Sequence, residues 1–200
     1  MNRIATSSLV GLAALVFAAA DLSAQICNGT APFSAGRLRA GAGIRMPNGG
    51  TIFDGEFAVG AASGLYGGAT VSLYDPSGIG GNSTVVGGFV GKSMLVDQKK
   101  TLELCPQFFL QIGEQSTNSF GGGVTLGRSF KQSSFDIVPF GGAFLHRDDN
   151  GVTSDFNIDL QVGAGFVLNK VWTIRPVLNL PLTNNGDSVL GIMAFLNFGK

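Results

Sequence analysis

Between Phe156 and Asn169 the chain alternates apolar and polar residues one by one, and few other patterns restrict a fold so tightly. Phe156, Ile158, Leu160, Val162, Ala164, Phe166 and Leu168 take one face; Asn157, Asp159, Gln161, Gly163, Gly165 and Asn169 take the other, with Val167 the single exception. Successive side chains of a strand point to opposite faces, whereas helical spacing would scatter both sets. The next segment repeats the pattern, with Trp172, Ile174, Pro176, Leu178, Leu180 and Leu182 opposed to Thr173, Arg175, Val177, Asn179 and Pro181. Leu102–Ile112 and Leu65–Tyr74 follow with more noise, and Leu190, Ile192, Ala194, Leu196 and Phe198 share one face near the end. The stretches Val85–Leu95 and Phe135–His146 do not sort into two faces, so their orientation stays open.

The alternation gives ten expected strands: Phe33–Arg45, Thr51–Gly60, Leu65–Tyr74, Ser83–Leu95, Thr101–Ile112, Phe120–Phe130, Phe135–His146, Ser154–Leu168, Trp172–Leu182 and Ser188–Phe198. The fold class is therefore all-β, a closed antiparallel up-and-down transmembrane barrel of about ten strands, with eight the alternative count. Longer connections at Met46–Gly50, Asp75–Asn82, Gly113–Ser119, Arg147–Thr153 and Thr183–Asp187 alternate with tight ones at Ala61–Gly64, Val96–Lys100, Lys131–Ser134 and Asn169–Val171. Bacterial barrels pair long external loops with short periplasmic turns and use an even strand count.

Composition bears on which solvent meets the apolar face. Hydrophobic residues make up 44% of the chain and charged ones 13%, about half the charge of an ordinary soluble domain. The net charge is zero, which leaves no electrostatic footprint for nucleic acid. Glycine is abundant yet spread through apolar segments, so disorder is not expected. Arg3, the apolar run Leu9–Ala20 and the small residues ending at Ala24 have the three parts of a cleaved secretory signal peptide. The run is too short for a spanning helix, which needs about 20 apolar residues. The expected organisation is a signal peptide at 1–24, a periplasmic N-terminal segment at 25–32 and a barrel domain at 33–200.

The glycine-punctuated strands Phe120-Gly-Gly-Gly-Val-Thr-Leu-Gly, Val162-Gly-Ala-Gly-Phe-Val-Leu and Val189-Leu-Gly-Ile-Met-Ala-Phe-Leu-Asn-Phe resemble the small bacterial outer-membrane β-barrel family, the OmpX/OmpA-like barrels. The resemblance is one of pattern and runs through the whole mature chain. It implies residence in the bacterial outer membrane, with lipid and the barrel-insertion machinery as partners; it implies nothing about oligomeric state. Members usually end in an aromatic residue, while this chain ends Phe198-Gly199-Lys200. Phe156 and Phe166, ten residues apart on one face, would lie roughly 25 Å apart along a tilted strand, the height of a bilayer's apolar band. With Trp172 and Phe198 they are the expected interfacial aromatics.

If the apolar face meets lipid, the lumen receives Arg37, Arg39, Arg45, Asp54, Glu56, Glu103, Asp159 and Arg175. Buried charges without partners are costly, so these should pair across strands. Arg39 should stand opposite or diagonal to Glu56. His146, the single histidine, heads the run His146-Arg-Asp148-Asp149, where a charged surface loop or a rim catalytic base are both readings. No nucleophile lies at a telling spacing, so no catalytic residue is assigned and the chain does not read as an enzyme. Two distant cysteines and one histidine form no metal cluster, and no glycine motif fits a phosphate or cofactor.

Three functions from different classes compete: an outer-membrane barrel with a structural or narrow-channel role and exposed loops, a secreted lipocalin-like barrel with its apolar face inward around a small apolar ligand, and a rim hydrolase centred on His146. The two cysteines belong to a chain exported to an oxidising compartment. Cys27 precedes the first strand and Cys105 follows a periplasmic turn, so they share a height. The six residues from Cys27 to Phe33 reach about 20 Å, enough to cross a narrow lumen. A Cys27–Cys105 disulfide is therefore expected, drawing Gln25–Pro32 into the mouth as a partial plug.

Overall fold

The computed structural model describes residues 26–30, 35–76, 81–97, 102–114, 118–149, 151–183 and 186–199; the expected signal peptide and residues 25, 31 and 32 of the N-terminal segment lie outside them. Ten strands follow in chain order: β1 (Leu38–Met46), β2 (Gly50–Gly60), β3 (Leu65–Pro76), β4 (Ser83–Lys92), β5 (Leu102–Gly113), β6 (Asn118–Arg128), β7 (Phe135–Asp149), β8 (Ser154–Leu168), β9 (Trp172–Pro181) and β10 (Val189–Phe198). Each pairs antiparallel with the next. The sheet closes where β10 returns to β1, in register from Leu38 opposite Phe198 to Met46 opposite Leu190. The result is a closed antiparallel ten-strand barrel. Closure matters energetically, because it leaves no strand edge with unpaired N–H and C=O groups.

An even strand count puts β1 and β10 side by side with their outer ends, Leu38 and Phe198, at one rim. This rim is called the terminal end and the opposite one the loop end. The expected difference in connection length does not hold. At the loop end the connections span 47–49, 77–82, 114–117, 150–153 and 182–188; at the terminal end they span 61–64, 96–101, 132–134 and 169–171. Several strands run further than their apolar pattern, β7 through Asp149 and β3 through Pro76, because ladder hydrogen bonds continue past the last apolar side chain.

Three strand boundaries differ for local reasons. The first strand begins at Leu38 instead of Phe33; Phe33 and Ser34 lie outside the described residues, and the chain enters the wall through a turn in which Gly36 has a φ of 77°. In β4 the ladder breaks at Ser93 before resuming at Met94–Leu95. There the Ser93 N–H donates to the Gly64 carbonyl, and Gly64 itself has a φ of 75° and no room for a Cβ against the Ser93 carbonyl, so the position requires glycine. In β6 the break falls at Ser129, before Phe130–Lys131 rejoins β7.

Facing follows the alternation. Phe53, Phe57, Val71, Leu73, Phe108, Leu110, Phe120, Leu145, Phe156, Ile158, Trp172, Ile174, Leu190 and Ile192 all present exposed apolar side chains outward. The two stretches that would not sort have an explanation in the interior. On β4, Val86 and Val90 point out while Phe89 points in, its ring 6.3 Å from that of Tyr66. On β7, Phe135 and Leu145 point out, but Val138 and Phe140 are buried inside. Both faces of these stretches are apolar, so period two leaves no trace in hydropathy.

Candidate functional site

The interior divides into a filled half at the terminal end and a cavity toward the loop end. The filling is the chain's own N-terminal segment. A 3-10 turn at Ile26–Asn28, with Gly29 and Thr30, packs inside the barrel against β5, β6 and β7, and Cys27, Asn28 and Thr30 are buried. Cys27 is bonded to Cys105 of β5, with Cα atoms 5.8 Å apart. The segment is also held by hydrogen bonds to strands all round the wall. The Asn28 amide donates to the Tyr66 hydroxyl (3.1 Å) and accepts from Thr125 (2.7 Å). Arg39 donates to Thr30 Oγ1 (2.9 Å), and Arg175 donates to the Asn28 carbonyl (3.0 Å). At the backbone the fit leaves no slack: a Cβ on Gly165 would strike the Gly29 carbonyl, and one on Gly29 would strike the Phe140 ring.

Around this plug the charges are sealed. Arg39 Nη2 lies 2.6 Å from Glu56 Oε1, with side-chain exposures of 2% and 11%. Arg39 stands opposite Ala58 while Glu56 stands opposite Gly41, so the pair is the diagonal one. The guanidinium of Arg39 also lies 5.1 Å from the centre of the buried Phe195 ring, and that of Arg175 lies 4.6 Å from it. Cation–π contacts of this kind gain strength where water is excluded. The expectation that every lumenal charge pairs with an opposite one fails at Arg175: its Nη atoms bond the Asn28 carbonyl and approach Met193 Sδ, and a buried Nε has no hydrogen bond. Glu103, fully buried, accepts from Ser93 Oγ at 3.0 Å.

Above the plug is a cavity of about 430 Å³ lined by Arg45, Asp54, Gln111, His146, Asp159 and Asn179 among others. Arg45 binds Asp54 bidentately, at 2.6 and 2.8 Å, and Asp54 also accepts from Ser72 (2.6 Å). This pair is wetter, with 31% of the Arg45 side chain exposed. On the neighbouring strands β8 and β9 Gln161 donates to its register partner Asn179 at 3.0 Å.

Arg37, expected in the lumen, precedes β1 and does not line the cavity; its carbonyl accepts from the Gly60 N–H.

His146 does not sit in a surface loop. Because β7 runs on to Asp149, the ring faces the lumen, with Nδ1 3.0 Å from Asp148 and Nε2 3.0 Å from Asp159. Asp148 also accepts from Asn157 at 2.7 Å and hydrogen-bonds Ser119. Both ring nitrogens are engaged by carboxylates, so neither faces a hydroxyl nucleophile. The arrangement ties β7 to β8. Among the described residues the one group of three potential metal ligands is Cys27, Glu103 and Cys105, and its two sulfurs are spent in the disulfide.

Phe156, Phe166, Trp172 and Phe198 all lie on the exposed outer face: Phe156 toward the loop end, and Phe166, Trp172 and Phe198 toward the terminal end. Sequence reasoning missed Tyr66, Thr125, Phe140 and Phe195, the wall residues that receive the plug. The signal was present for Phe195 alone, a large ring on the face of the last strand opposite the row Leu190, Ile192, Ala194, Leu196 and Phe198.

No family model matches the sequence, and no curated protein does. Solved structures do. The β domain of the Bordetella autotransporter BrkA is similar with a TM-score of 0.51 and 10% identity, over 84% of this chain and 100% of that one. The KdgM porin is similar with a TM-score of 0.48 and 10% identity, over 80% and 99%. The N-terminal barrel of Pseudomonas aeruginosa OprF gives 0.40 and 9%, over 82% and 98%. At these identities the likeness is one of fold.

Proposed function

We propose that this chain is an outer-membrane β-barrel with a structural role, closed to through-flow at its terminal end by its own N-terminal segment and presenting its loop end to the outside. The observation that carries this reading is the inversion of the barrel. Apolar side chains cover the outside on every strand, and the inside holds ion pairs, amides and a hydrogen-bonded plug. A water-soluble barrel needs the reverse, since a continuous apolar exterior far exceeds the few hundred Å² a monomer leaves exposed. The same inversion speaks against a lipocalin-like carrier, whose ligand pocket is apolar.

Membrane residence accounts for the low charge content, and export through a signal peptide cleaved after Ala24 and insertion by the barrel-assembly machinery follow from it. The orientation rests on the shared rim of the termini, since barrels of even strand count keep both termini in the periplasm. The plug leaves a structural role better supported than a channel. Fractionation tests the proposal: the protein should appear in the detergent-extracted outer membrane and migrate faster on gels unheated than boiled. Recovery with the soluble periplasm would overturn it.

A further inference from the structure

The outer surface carries one feature that a uniform lipid contact does not call for. Leu110, Phe120, Arg147 and Phe156 stand side by side on β5, β6, β7 and β8, and in the next row toward the middle stand Phe108, Gly122, Leu145 and Ile158. The Phe108 ring packs over Gly122, and beside it lies an open dent of about 400 Å³ lined by Phe108, Phe120, Leu145, Arg147 and Phe156 among others. Arg147 is the only cation among the described outward-facing strand residues of the loop half. Its Nε donates to Ser154 Oγ, its guanidinium lies 5.8 Å from the centre of the Phe156 ring, and no carboxylate among the described residues forms an ion pair with it.

A lone arginine on a lipid-facing wall is expensive at mid-bilayer and cheap at the interface. The Arg147 Nε is held by Ser154 Oγ, and its guanidinium lies beside the Phe156 ring. A planar guanidinium so presented matches a phosphate better than any neutral headgroup. Beside it the dent is lined largely by apolar side chains, Phe108, Phe120, Leu145 and Phe156.

We infer that this patch is a binding site for a phosphate-bearing lipid of the leaflet at the loop end, the phosphate on Arg147 and an acyl chain in the apolar dent beside it. In an outer membrane that lipid is the phosphorylated glucosamine lipid anchor of the outer leaflet. The inference rests on the membrane reading above, and it adds one fixed lipid to an otherwise unselective belt.

Native mass spectrometry of the barrel in neutral detergent tests it, with bisphosphorylated lipid A and the same lipid after phosphatase treatment as probes. The intact lipid should be retained and the dephosphorylated one lost. Arg147→Gln should weaken retention roughly tenfold, Arg147→Lys should recover part of it, and Arg128→Gln, at the outward face of the terminal end, should leave it unchanged. Heat-dependent gel mobility checks that each variant is folded. Equal retention of both lipids, or equal losses in Arg147→Gln and Arg128→Gln, would overturn the site while leaving the membrane reading intact; solubility of the wild type without detergent would overturn the membrane reading itself.

Discussion

Two halves of one lumen, built from the same ten strands, are stabilised in different ways. At the terminal end the interior is solid: the N-terminal turn, Phe140, Val138, Phe195 and Tyr66 fill it, and Arg39 is shut in with Glu56. At the loop end the interior is an aqueous cup, where Arg45 and Asp54 pair within reach of water. The same chemistry, an Arg–carboxylate contact at 2.6 Å, appears in both. What differs is the medium, and the medium decides how much each contact contributes.

The strongest way to break the contrast is to untie the plug. Cys27→Ser removes a cross-link closing a separation of 78 residues, for which chain entropy gives about 4 kcal/mol; the melting temperature in detergent should fall well below wild type, and planar-bilayer conductance should rise. Unchanged conductance in the folded variant would show that the hydrogen bonds alone hold the plug in place. Next, Glu56→Gln leaves Arg39 charged in a sealed site, a loss of about 3 kcal/mol readable as a lowered denaturation midpoint. If the midpoint does not move, the terminal half is wetter than its packing implies.

Backbone fit gives the third comparison. Gly165→Ala pushes a methyl onto the Gly29 carbonyl and should destabilise by about 2 kcal/mol, while Gly88→Ala on the outer face meets nothing closer than 3.4 Å and should be neutral in the same melt. A smaller effect is expected at the cup: Asp54 is 10% exposed, but 31% of its partner Arg45 is exposed and can be rehydrated, so Asp54→Asn should cost about 1 kcal/mol, and that loss should shrink in high salt. A drop as large as that of Glu56→Gln would erase the distinction between the two halves.

What could be read in the sequence follows the same division. Alternation marked β8 and β9 because their interior residues are mostly polar or small, so the two faces differ in hydropathy, and it marked β10 by its unbroken outer row of apolar residues. It failed on β4 and β7, where Phe89 faces inward to meet Tyr66, Phe140 to meet the plug and Val138 to meet Val167, and nothing in the local pattern separates an inward side chain from an outward one. Arg39 and Glu56 were legible as partners because strand parity and one hairpin fix their relation. Arg175 was not, since its partners are a backbone carbonyl and a ring contributed by residues far away in the chain. His146 was misplaced because turn-forming residues hid three further rungs of ladder, at Arg147, Asp148 and Asp149. Connection lengths misled for that reason too.

The disulfide also constrains the order of events in time. Both sulfurs belong to fully buried residues enclosed by the finished wall, and the wall is finished only when β10, the last strand made, meets β1, the first. An oxidant the size of a protein cannot reach Cys27 and Cys105 after that meeting. A protein oxidant would therefore have to act on an open, curling sheet, with the segment already lying across β5 before the seam is drawn shut, so that the barrel assembles around its own tether.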